Sequence, residues 1–182
     1  MDKIDVRPLI DKIKKSVEKH RLAEGSYARW LWQDSDKSRA LKQNPYGCAD
    51  AANILYTIGE FPQRPEFRAK WVLALQGMQD EESGLYQERT HHPMHTTAHC
   101  VAALELFDAR PAYPLKELLC YLEKEQLYSL LNGLDWVNNP WPQSHQGAGI
   151  YAALVISGAA DKTWENWYFD WFYEQADPES GM

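Results

Sequence analysis

The sequence predicts an all-α fold made of helical hairpins that repeat along the chain. Three apolar segments rich in small residues begin about fifty residues apart, at Tyr46, His95 and Gln146. An amphipathic segment follows each of them, and each pair ends in a turn that contains a glycine: Gly84, Gly133 and Gly181. A fixed period of this length is typical of stacked supersecondary units, because each unit buries its apolar face against the next.

The elements are predicted in the following order. A helix over residues 6–23 comes first and is interpreted as the second half of an earlier hairpin. Three hairpins follow, over residues 46–84, 95–133 and 146–181. Their first helices are expected at 46–62, 95–111 and 146–161, and their second helices at 64–79, 113–131 and 162–176. Pro65 and Pro114 suit first-turn positions, and Asp161 or Thr163 can cap the last helix.

The two helices of each hairpin differ in polarity. The first is apolar nearly all round and rich in Ala and Gly, which favours a helix covered on every side, whereas the second has one charged face. We therefore expect Thr97–Phe107 and Gly149–Ala159 to be more buried than Leu115–Leu130. Hairpins with inner and outer helices of this kind close into a two-layered ring, an α/α toroid, or continue as an open superhelix.

Residues 67–86, FRAKWVLALQGMQDEESGLY, resemble the repeat of the squalene cyclases and protein prenyltransferases. The matching residues are Trp71, Gln76, Gly84 and Tyr86. The layout also resembles the six-hairpin-barrel-like toroids of glycoside hydrolases, polysaccharide lyases and sugar epimerases. The resemblance covers about three quarters of the chain, from Tyr46 on, and we expect one toroid-like domain over residues 1–182. Because the chain supplies roughly three and a half hairpins, we expect a partial ring that is incomplete at its C-terminus; the alternative is a small, open helical array that buries its ends by self-association.

Composition excludes several classes of partner. The 182 residues carry a formal net charge of −7 and no clustered basic face, which argues against nucleic acid and anionic membrane surfaces. No apolar run is long enough to span a bilayer, and the start lacks the apolar core of an export signal. Three cysteines without a paired spacing fit a reduced compartment, so a cytoplasmic location is expected. No cofactor is predicted.

The candidate chemistry lies in the long connections from second helices to first helices. Loops of repeated units lie side by side, so we expect His91, His92 and His145 to meet near the N-terminal ends of the inner helices. Imidazole titrates near neutral pH, which makes these three the candidate general acids and bases. Arg89 is the candidate partner of a substrate carboxylate.

Other residues have weaker or structural interpretations. Four aromatic side chains could stack on a sugar ring or an isoprenoid: Tyr46, Tyr86, Trp136 and Trp141. His95 and His99 are one helical turn apart and form a weak candidate metal pair, with a third ligand from His91, Asp50 or His145. His99 is otherwise a core histidine. Acidic residues that recur with the turn are expected to cap the hairpin corners: Asp80, Glu82, Asp177 and Glu179.

Three functional hypotheses follow. The first is a segment of a carbohydrate-active toroid enzyme, of glycoside hydrolase, lyase or epimerase type, that binds a small molecule or glycan and uses histidine acid–base chemistry. The second is a terpenoid cyclase or prenyltransferase-like segment, although the sequence has no DxDD acid. The third is a non-catalytic helical-repeat module with an apolar groove. Exposed terminal hairpins also predict association into a homo-oligomer.

Overall fold

The computed structural model describes residues 4–35 and 39–180, and within them the protein is mostly helical, with 57% helix and 4% strand. This confirms the all-α class. The α-helices in chain order, α1 to α7, are Arg7–Lys19, Pro45–Thr57, Pro65–Gln76, Pro93–Glu105, Lys124–Gly133, Pro140–Ile156 and Lys162–Gln175. A 3₁₀ helix, Lys116–Leu122, precedes α5, and strands β1 (Arg21–Ala23) and β2 (Ser26–Tyr27) form an antiparallel hairpin after α1.

The chain divides into two compact units. The first comprises the described residues up to 78 together with 103–109, and the second comprises 79–102 and the residues from 110 onward. Every helix within 4–35 and 39–180 is too short or too polar to cross a membrane.

The first unit is organised around α3. The indole of Trp71 is buried, stacks on Tyr27 with ring centroids 5.0 Å apart, and donates to Glu24 Oε1 at 3.1 Å. The predicted helix 6–23 was too long, since α1 ends at Lys19 and the chain turns into the β1–β2 hairpin at Gly25. Gly25 has a φ of +78°, and a Cβ there would lie 2.7 Å from the Trp71 Cα, so only glycine fits this turn against α3.

The second unit has one continuous core, formed by α5, α6 and α7 with the first turns of α4. Its fully buried members include Leu127, Leu131, Ile150 and Leu154. The single helix predicted over 113–131 is in fact two helices, because Glu123 is extended (φ −82°, ψ 131°) and begins α5 anew. Pro114 accordingly lies before the 3₁₀ helix and outside any first turn. Asp161 caps α7 by accepting from the Trp164 amide at 2.9 Å, as predicted.

The turn that begins at Asp80 holds the start of the second unit together. Asp80 Oδ1 accepts from the Ser83 amide at 2.7 Å, and Asp177 Oδ1 accepts from the Ser180 amide at 2.8 Å, which confirms the structural role predicted for both acids. Gln79, which the sequence pattern did not single out, is buried and joins this turn to the next segment. Its amide donates to the carbonyls of Gly84 and Tyr113, both at 2.8 Å.

The repeat is most regular at the ends of the first helices. α2, α4 and α6 each begin at a proline, and each is followed by a residue with positive φ: Gly59, Asp108 and Gly158. At all three helix ends, the amide of the following residue donates to the carbonyl five residues earlier. The pairs are Glu60 to Leu55, Ala109 to Leu104 and Ala159 to Leu154. This is the Schellman arrangement of a helix C-terminus. It recurs about every fifty residues.

The glycines chosen from the sequence as turn markers are not equivalent. Gly84 has a φ of +79° and closes the turn that begins at Asp80, whereas Gly133 is the last residue of α5 and lacks a positive φ. Gly181 lies outside the described residues. The predicted start of the third first helix, Gln146, was also late, because α6 already begins at Pro140, where proline is tolerated in a first turn.

Burial follows the predicted division between first and second helices. Most residues of Thr97–Phe107 are buried, and so are Gly149, Ile150, Ala153 and Leu154 in α6. Between residues 115 and 130, by contrast, the buried positions are Leu115, Leu118 and Leu127. The prediction that the first helices are more buried than the second is therefore confirmed.

Candidate acid-base site

Three histidine rings lie together in the second unit. His95, in the first turn of α4, and His145, in the second turn of α6, are stacked with centroids 4.4 Å apart and an angle of 14°. His91, in the loop before α4, lies 5.4 Å from His95 and 6.5 Å from His145. The two helices approach closely because Gly149 has no side chain: a Cβ there would lie 3.3 Å from the Cα of His95. Gly149 is one turn after His145.

A buried carboxylate orients His91. The Glu88 side chain is only 3% exposed, and its Oε1 lies 2.7 Å from Nδ1 of His91. The same oxygen accepts from the Thr90 hydroxyl at 2.6 Å and from the Thr90 amide at 2.9 Å. A carboxylate at Nδ1 favours the tautomer in which that nitrogen carries the proton, which places the lone pair on Nε2. Glu88 is thus a positioning residue for His91.

The environment of the cluster favours neutral imidazole at its centre. Burial, together with the neighbouring histidines, His145 first among them, lowers the pKa of His95 from 6.5 to about 4. Burial also lowers the pKa of His92. Desolvation disfavours the charged form of each ring, and a second positive charge nearby adds repulsion.

His92 has a different position from the one expected. Its Nδ1 accepts from the Met94 amide at 3.3 Å, at the start of α4. Asn44 occupies the same place before α2, where its side chain accepts from the Gly47 amide at 2.9 Å. His92 therefore caps its helix, while the stacked rings are those of His91, His95 and His145.

Trp141 is the aromatic residue that borders the cluster. The residue is 76% exposed, and its ring and that of His145 meet edge-to-face with centroids 5.0 Å apart. It lies in the first turn of α6, so the helix that carries His145 also carries the exposed indole. Arg89, between Glu88 and Thr90 in the loop, is exposed.

The other predicted stacking residues are engaged in packing. Tyr86 is fully buried, so the expectation that it offers a stacking surface was wrong; its hydroxyl has no hydrogen-bond partner among the described residues, and burial raises its pKa. Trp136 is half-buried against Trp171 and donates to the Leu131 carbonyl at 2.8 Å. Tyr46, in the first unit, lies under the guanidinium of Arg29 at 4.5 Å.

The structure adds no support for His95 and His99 as a metal pair. Across residues 4–35 and 39–180, no group of three or more His, Cys, Asp or Glu side chains is arranged to hold a metal ion. His99 is half-buried in α4, and Asp50 lies in the first unit, in α2.

Sequence reasoning missed Glu88 and Thr90. The signal was present in the loop QERTHH, where an acid three residues before a histidine can reach its ring. What the pattern cannot reveal is that this acid is buried, since loop acids are usually exposed. The buried state distinguishes Glu88 from Glu81 and Glu82 nearby, which are exposed.

Comparison with protein-family models, with curated proteins and with solved structures gives no match for this chain. The described residues form a mostly helical protein with a histidine cluster, a buried carboxylate and an exposed tryptophan.

Proposed function

We propose that the chain is part of a carbohydrate-active enzyme with α/α-toroid architecture and that Glu88, His91, His145 and Trp141 form its acid–base site. The observation that carries the proposal is the buried Glu88 carboxylate at Nδ1 of His91, with a second imidazole close by. The recurring Schellman ends of α2, α4 and α6 support the toroid architecture, since they mark equivalent points of successive hairpins.

Each residue has a distinct role in the proposed reaction. Glu88 fixes the ring of His91, so that Nε2 can take a proton from a sugar hydroxyl, a water molecule or an acidic carbon. His145, in its protonated form, gives a proton to the departing oxygen. A carboxylate that holds an imidazole in one tautomer serves the same purpose in other acid–base sites.

Trp141 provides the binding surface. The flat apolar face of an exposed indole can stack on the C–H face of a sugar ring, and because Trp141 contacts His145, a sugar bound there would lie beside the imidazole. Arg89, in the same loop as Glu88 and His91, is the candidate partner for a uronate carboxylate.

The proposal is tested by turnover. The purified protein is assayed on aryl glycosides and on neutral and uronate-containing polysaccharides, with release of reducing ends and formation of unsaturated uronates as the two readouts. For any substrate that is turned over, His91→Gln and His145→Gln should each lower kcat by about a hundredfold or more. Glu88→Gln should lower kcat with little change in KM, because it acts through His91.

Trp141→Ala should instead raise KM and leave the melting temperature unchanged, since its ring is mostly exposed. Trp32→Ala is the matched control, because Trp32 is also exposed, at 61%, and lies in the first unit. Turnover that survives both histidine substitutions would contradict the proposal. If sugars bind at Trp141 and no bond is broken, the protein is a non-catalytic binding module.

A further inference from the structure

α1 presents a stripe that combines apolar and basic side chains. Leu9 is 58% exposed, and Lys12 and Lys19 follow it on the same helix face. Val6, immediately before the helix, extends the apolar end of this stripe. Over the 13 residues of α1 the basic residues outnumber the acidic ones, since the basic set is Arg7, Lys12, Lys14, Lys15 and Lys19 and the acidic set is Asp11 and Glu18.

α7 presents the opposite combination, with apolar and acidic side chains on its outer face. Tyr173 is 78% exposed, and Phe169, one turn earlier, is exposed as well. Asp170 and Glu174 lie beside these rings and are exposed. The ring of Phe169 is held in place by contacts with Tyr151 and Tyr168, at 5.3 and 5.6 Å. The exposed face is therefore anchored to the core of its unit.

We propose that α1 of one copy of this chain docks on α7 of a second copy. Leu9 and Val6 would cover the rings of Phe169 and Tyr173, while Lys12 and Lys19 face Asp170 and Glu174. Complementary charge around an apolar centre is the usual anatomy of a specific interface. This contact is independent of the proposed sugar chemistry.

The charges also disfavour the symmetric alternatives. Two α7 helices would bring four carboxylates together, and two α1 helices would bring lysines together, so like charges oppose both pairings. The α1–α7 contact joins two different surfaces and is therefore heterologous, which allows the association to continue from copy to copy.

Two charge-reversal variants test the contact by sedimentation over a range of protein concentrations. Lys12→Glu with Lys19→Glu, and Asp170→Lys with Glu174→Lys, change only exposed side chains. Each variant alone should associate at least about tenfold more weakly than the wild type. An equal mixture of the two should recover association, because each reversed surface then meets its complement.

The matched control is Lys42→Glu with Glu125→Lys, which reverses the same kinds of charge at other exposed positions and should associate like the wild type. Raising the salt concentration should weaken wild-type association. A monomer at every concentration would overturn the proposal. So would a mixture that fails to recover association, or association lost in the α7 variant and kept in the α1 variant, which would indicate an α7–α7 contact.

Discussion

Gly84 is the residue at which backbone conformation and close packing coincide. Its φ is +79°, and an added Cβ would lie 2.8 Å from the Leu115 Cα and nearer still to the Pro114 carbonyl oxygen. Both the backbone conformation and the lack of space exclude a side chain. The sequence pattern identified this glycine correctly as a turn residue, but the segment that it packs against, 113–116, could be found only in three dimensions.

Gly84→Ala should destabilise the protein by about 3 kcal/mol, because strain and overpacking act together. Gly133→Ala is the matched control: Gly133 has no neighbour within 4 Å of an added Cβ and lies at the end of a helix. That substitution should be neutral or stabilising by about 0.5 kcal/mol. Urea denaturation measures both. Equal effects at the two glycines would contradict the packing described for residues 79–117.

The lowered pKa of His95 makes the stability of the folded protein depend on pH. Its pKa falls from 6.5 to about 4 on folding, so the unfolded chain binds the proton more tightly than the folded protein. The free energy of unfolding should therefore decrease as the pH is lowered from 6.5 toward 4, and should gain nothing from this residue above that window.

His95→Gln removes the titrating ring and keeps a polar side chain. Its free energy of unfolding should fall less steeply than that of the wild type across the same pH window. Urea titrations at several pH values provide the comparison. An unchanged slope would show that another group, such as His92, controls the acid response.

Among the elements, the three helices α2, α4 and α6 show what periodicity can and cannot predict. The pattern of small apolar residues located all three, since helices that pack largely in the interior leave a strong compositional signal. It misplaced the repeated turn residue. A residue with a left-handed backbone follows each of the three first helices, and one of these residues, Asp108, is not a glycine. It also missed the β1–β2 hairpin, whose strands are too short to give an alternating pattern.

Asp108 gives a direct test of the repeated helix end. Its φ of 57° is unfavourable for a residue with a Cβ, whereas glycine occupies the equivalent positions after α2 and α6. Asp108→Gly should be more stable than Asp108→Ala by about 1 kcal/mol. Both variants lose the Arg68 ion pair equally, so that contact does not affect the difference. An alanine variant as stable as the glycine variant would contradict the left-handed helix end.

For the whole molecule, the sequence predicted that His91, His92 and His145 meet, and part of that prediction is confirmed. His91 and His145 do lie in one cluster, although a long stretch of chain separates them. The sequence could not predict the burial of Glu88, the buried position of Tyr86 or the helix-capping geometry of His92, because each depends on contacts that form only after the hairpins pack.

The most direct test of the acid–base site is a ligand titration followed by NMR. The ring protons of the histidines and the indole N–H groups are observed while neutral and uronate-containing oligosaccharides are added. We expect the signals of His91, His145 and Trp141 to shift together, with one binding constant, while those of His20 and Trp32 do not move. Shifts confined to His20 and Trp32, or none at His91, His145 and Trp141 with any of the sugars, would contradict it.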